Sequence, residues 1–181
     1  MKNIFLFCLL FSIAGMGFTS KEQVSVPSGD FCNSLKTLLE AAKEGFDTIK
    51  GPSIERIITG HKKNYYLSNI KFVDEHECYI NDVASYPECE CILATDTRIS
   101  DELTSSYNNY KSEIENCLGE EWTIIEQDSS NNYYLKGTKY RKLVVRENIT
   151  GKKVKFHLFI YSSMIEKKRV VELKVEGIGK K

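Results

Sequence analysis

The chain has 181 residues with 25 basic and 25 acidic side chains, a formal net charge of zero. That balance argues against nucleic-acid capture, which needs concentrated positive potential, so no nucleic-acid partner is expected. The first segment is a single Lys2, the apolar run Ile4 to Ala14, and the small residues Gly15, Gly17, Thr19 and Ser20. Charged, apolar and small-residue regions in this order form a cleaved secretory signal, so residues 1–20 are expected to be removed and the protein to be secreted or periplasmic. No later run approaches the ~20 apolar residues that a membrane helix needs, so no transmembrane anchor is expected after cleavage.

Residues 21–29 read as a polar leader, and 30–181 as one domain. Phe31, Leu35, Leu38, Leu39, Ala42, Phe46 and Ile49 recur at helical spacing, which predicts a helix from Asp30 to Lys50, stopped by Gly51–Pro52. Three strands are expected next, at Tyr65–Phe72, Glu77–Val83 and Glu88–Thr95, rich in aromatic and β-branched residues. Ser100 then caps a second helix with Asp101 and Glu102 in its first turn and a stripe of Leu103, Tyr107, Tyr110, Ile114, Cys117 and Leu118. Gly119 ends it.

Strands follow at Trp122–Gln127, Tyr133–Lys136, Arg141–Glu147, Val154–Tyr161 and Val170–Glu176. In the fourth of these, Val154, Phe156, Leu158 and Ile160 point one way, and Lys155, His157 and Phe159 the other. Such alternation marks an antiparallel sheet with one face on a core and the other largely in water. The expected fold is an α+β two-layer sandwich, an antiparallel sheet covered on one face by two helices, in the order α-β-β-β-α-β-β-β-β with four or five strands after the second helix.

That order resembles secretion-chaperone-like modules. The runs FCNSLKTLLEAAKEGFDTIKG, CECILATD and IENCLGEEW are also similar to uncharacterised exported α+β proteins of Bacteroidota, a resemblance that spans most of the chain after the signal. It implies an exported domain of this class and carries over no catalytic residue.

Five cysteines lie beyond the signal, and in an oxidising compartment they are disulfide candidates first. A hairpin centred on Ala84–Ser85 sets Cys78 opposite Cys91; a two-residue slip would select Cys89 instead. Cys32 begins the first helix and Cys117 ends the second, so antiparallel helices would bring this pair together, leaving one thiol free, buried or used between molecules. A metal reading takes His76, Cys78, Cys89 and Cys91 as zinc ligands. Structural zinc sites draw ligands from tight turns, whereas these are i, i+2 pairs on strands, so no metal or other cofactor is expected.

The catalytic vocabulary is thin. His157 has a rigid strand beneath it but reads as a solvated side chain, and Asp74, Glu75 and Glu77 alternate faces as an acidic turn. Tyrosines suggest contact instead. The pairs Tyr65–Tyr66 and Tyr133–Tyr134 each send one ring outward and, with His157 and Phe159, outline a possible binding face. The leading expectation is an exported non-enzymatic module for a protein or peptide partner, in the form of an immunity-type inhibitor or an envelope-assembly subunit. The alternatives are a hydrolase and a small-ligand or lipid-binding protein.

Overall fold

The computed structural model describes residues 31–58, 60–82, 86–128, 130, 140–150, 153–163 and 167–179. The signal, the leader, the expected cap Asp30 and the strand expected at Tyr133–Lys136 lie outside the described residues. Among those described, no helix is long and apolar enough to cross a membrane.

The first helix, α1, spans Phe31–Lys43 and buries Phe31, Leu35, Leu38, Leu39, Ala41 and Ala42. It stops seven residues earlier than expected. Gly45 and Phe46 both take left-handed backbone angles, and their amides fold back onto the Ala42 and Ala41 carbonyls. Gly45 is therefore the helix stop, because it enters that conformation without a Cβ penalty. A 3-10 turn at Asp47–Ile49 keeps Phe46 and Ile49 on the core side, which is why the apolar spacing ran on past the helix.

Gly51–Pro52 then lies inside a strand, not beyond a helix. Strand β1 covers Lys50–Ile58 and shifts register between Lys50 and Ser53. It sits at the sheet edge, where a proline removes no needed hydrogen bond. Next come β2 at His61–Ser68, β3 at Cys78–Asn81 and β4 at Glu88–Asp96. Four strands thus separate the helices where three were expected. Helix α2 spans Asp101–Cys117, with the Leu103 amide donating to the Ser100 hydroxyl at 3.1 Å. Strands β5 at Trp122–Gln127, β6 at Arg141–Glu147, β7 at Lys155–Ser163 and β8 at Lys168–Glu176 follow among the described residues.

All eight strands join one antiparallel sheet in the order β1-β2-β3-β4-β8-β7-β6-β5. Each half of the chain is a helix followed by a four-strand meander, and the two meet where β4 pairs with β8. The helices share one face. Against it pack Cys89, Cys91 and Leu93 of β4, Val171, Leu173 and Val175 of β8, and Phe156, Leu158 and Ile160 of β7, all buried in one core with α1 and α2. After β8 the chain closes on this core. The Gly177 amide donates to the Pro87 carbonyl and the Ile178 amide to the Ala42 carbonyl. A Cβ at Gly177 would meet the Phe46 ring at 2.7 Å, so this approach needs a glycine.

Two cysteine pairs stand at disulfide distance. Cys32 and Cys117 have Cα atoms 5.4 Å apart and join the start of α1 to the end of α2. Cys78 and Cys91, Cα atoms 4.2 Å apart, are direct partners in the β3–β4 ladder. The slipped pairing to Cys89 is absent, because Cys89 pairs with Ile80 in that register and is a buried free thiol. Burial pushes its pKa far up, so it is packed as a small apolar side chain.

Candidate binding site on the second sheet face

The face away from the helices departs most from expectation. Tyr65, Val144, His157, Val170 and Glu172 all lie on it and are buried, so it is not largely in water. Part of the cover comes from the β1–β2 hairpin. β2 joins β3 through only two register pairs, Tyr66 with Ile80 and Leu67 with Tyr79. In a flat sheet β1 would lie roughly 19 Å from β8, four strand spacings away. Yet the Arg56 guanidinium carbon of β1 stands 3.9 Å over the Tyr79 ring, and Arg56 lines one depression with Glu172 of β8 and Tyr161 of β7. The Arg56 side chain of the hairpin therefore reaches across the second face.

The depression is shallow and open to solvent, with a cavity volume of only about 20 Å³, bounded by Arg56, Tyr79, Glu90, Tyr161 and Glu172, with Ile92 and Ser163 completing its walls. Glu172 is its most unusual member. The residue is only 7% exposed, and its one hydrogen bond among the described residues comes from the Tyr161 hydroxyl at 2.5 Å. The nearby Lys174 is engaged elsewhere, with Glu88 at 2.7 Å and Glu90 at 3.3 Å. Burial pushes the Glu172 carboxyl up to about 7, and the Tyr161 phenol is raised by its own burial and by this neighbour.

Beside the depression runs a ladder of rings on β7. His157 and Phe159 have ring centroids 5.3 Å apart, and Phe159 and Tyr161 6.0 Å, with Lys142 of β6 over Phe159 at 5.0 Å. The expected solvated histidine is in fact 4% exposed. Its Nε2 meets Glu176 at 3.1 Å, and its Nδ1 is buried without a hydrogen-bond partner. Burial and then Lys142 hold His157 down at about 4, so it is neutral at neutral pH. Burial works to raise Glu176, but Lys155 and His157 outweigh it and keep that carboxyl below its usual range.

The expected binding residues thus divide. Tyr66 packs toward the core and Tyr65 toward the second face, as the alternation required, but Tyr65 is only 3% exposed and pads the hairpin instead of offering a ring to solvent. His157 and Phe159 lie beside the depression. Tyr133 and Tyr134 lie outside the described residues. The zinc quartet is broken up because Cys78 and Cys91 are partners of each other, and no group of three ligating side chains is found among the described residues. Arg56, Glu90, Tyr161 and Glu172 were missed as a set. The available signal was apolar residues on the supposedly wet face: Val144, Phe159, Tyr161 and Val170 show that something covers it.

Comparison with protein-family models, with curated proteins and with solved structures returned no match.

Proposed function

We propose that the chain is an exported, non-enzymatic module that holds a protein or peptide partner at the depression between the β1–β2 hairpin and strands β7 and β8. The observation that carries this reading is Glu172, a carboxyl shut away from water yet without an ion-pair partner among the described residues, at the wall of a solvent-open hollow. A buried ionisable group with a strongly perturbed pKa in a concavity is a functional-site signature. The phenol rings of Tyr79 and Tyr161 add rigid contact area there. The two cysteine pairs fit an oxidising compartment.

A hydrolase draws support from the 3.1 Å contact between His157 and Glu176. It is the weaker reading, because among the described residues no hydroxyl or thiol nucleophile is a hydrogen-bond partner of either ring nitrogen and His157 does not line the depression. A lipid or small ligand between sheet and helices would need space that Phe31, Leu35, Tyr107, Tyr110 and Phe156, all fully buried, already fill.

The test is a photo-cross-linking amino acid placed at Ile92 in the depression or at Ile149, a remote exposed position, in the exported protein. A single stoichiometric adduct from position 92 and none from 149 is expected. Adducts from both, or from neither, overturn the reading.

A further inference from the structure

We infer that the depression receives a single cationic side chain of the partner, which enters past Arg56, seats between the rings of Tyr79 and Tyr161, and pairs with Glu172. This deepens the reading above and rests on it. The walls suit a guanidinium or an ammonium. Phenol faces attract cations through the ring quadrupole, and the hollow itself shows the effect, since the chain's own Arg56 stacks on Tyr79 at 3.9 Å. Glu90 stands beside Glu172, so the hollow is lined by two carboxyl groups with one guanidinium at its rim. The Glu172 carboxyl is only 7% exposed and has no direct ion pair among the described residues, and the nearby charges of Lys174 and Arg56 do not outweigh its desolvation. The hollow is small, about 20 Å³, so it admits only the tip of one side chain. A cation there would supply the direct ion pair.

The charged groups around Glu172 make its titration readable. Glu88 and Glu90 of β4 are both engaged by Lys174 of β8, whose ammonium is raised by those carboxylates against the effect of burial. Tyr161 of β7 is raised by burial, Arg56 of β1 stays charged, and His157 at about 4 is already neutral. Between pH 6 and pH 8 Glu172 is thus the group near the hollow that changes charge. With a carboxyl at about 7, the ionised fraction grows about tenfold over that interval, and the affinity for a cation grows with it.

The experiment titrates the exported protein, followed by NMR signals of Ile92 and Tyr161, with acetyl-Gly-Arg-Gly-amide and acetyl-Gly-Gln-Gly-amide at pH 6 and pH 8. The arginine peptide is expected to bind about tenfold tighter at pH 8 and the glutamine peptide to leave the signals unmoved. Glu172→Gln should flatten the pH dependence and weaken binding. Arg56→Ala, which removes the competing guanidinium at the rim, should tighten it several-fold in a chain whose Glu172 is intact. Equal binding of the two peptides, or a pH dependence that survives Glu172→Gln, overturns the cation pocket. Cross-linking from position 92 would still stand in that case, which separates the two failures.

Discussion

The two halves of this chain have the same element order and different anchorage. In the second half, β6 joins β7 over six register pairs and β7 joins β8 over nine, and β8 has a run of four buried residues, Val170 to Leu173. In the first half, the outer β1–β2 hairpin joins β3 through two pairs and leaves His61, Lys62, Lys63 and Asn64 exposed. One meander is the platform and the other supplies the side chains that reach over it. The difference shows how a repeated arrangement divides labour: β3 is only four residues long, so the hairpin beyond it is weakly tied and its Arg56 reaches Tyr79.

The largest effect that would test this comparison comes from cutting the link between halves. The Cys32–Cys117 bridge spans 85 residues and in the chain-entropy model contributes about 4.6 kcal/mol. The Cys78–Cys91 bridge spans 13 residues within the first half and contributes about 2.9 kcal/mol. Replacing both cysteines of a pair by alanine should therefore lower the denaturant-unfolding free energy more for the first pair than for the second. The reverse order would mean that the hairpin, not the helix pair, holds the halves together.

A second, somewhat smaller effect sharpens the comparison on the platform side. Folded Glu172 keeps its proton up to about 7 while the unfolded chain releases it near 4.5, so this group lowers stability as pH rises through that window. Folded His157 refuses a proton until about 4 while the unfolded chain takes one near 6.5, so this group raises stability as pH rises from 4 to 6.5. Between about 4.5 and 6.5 the two slopes oppose, and the native protein should show little change in urea midpoint. Glu172→Gln removes one of them, and stability should then rise with pH across this window by up to ~3 kcal/mol. A flat profile in that variant would show that His157 is not held neutral by burial as described.

The smallest effect belongs to the hairpin. Ile57 is 68% exposed on β1, and Ile57→Ser should shift the unfolding free energy by less than ~0.5 kcal/mol. A larger loss would reveal that the hairpin packs more tightly than its exposed residues indicate.

Local chemistry made much of this fold readable. Ser100 capped α2 as its hydroxyl requires, and the turn between β3 and β4 set Cys78 against Cys91 because ladder register follows from a hairpin's centre. What failed was non-local. Phe46 and Ile49 fit a helical stripe and still leave the helix, since the same core contact is reached through a 3-10 turn once Gly45 has ended it. Glu172 and His157 fell on polar positions of an alternating pattern. Glu172 shares its depression with Arg56, more than 100 residues earlier in the chain, and His157 packs beside Phe159 and Glu176, neighbours that no local period records.

The pairing of β4 with β8 also has a consequence for the order of synthesis. Residues 88–96 emerge some eighty positions before their partner at 168–176, although both strands lie at the centre of the finished sheet. A chain emerging from its N-terminus can close the Cys32–Cys117 ring while β4 still presents an unsatisfied edge, and such an edge is a template for pairing with other chains. The keystone is thus the last strand to arrive. A ribosome stalled before residue 168 would leave two half-sheets with nothing between them, not a protein short of one border strand.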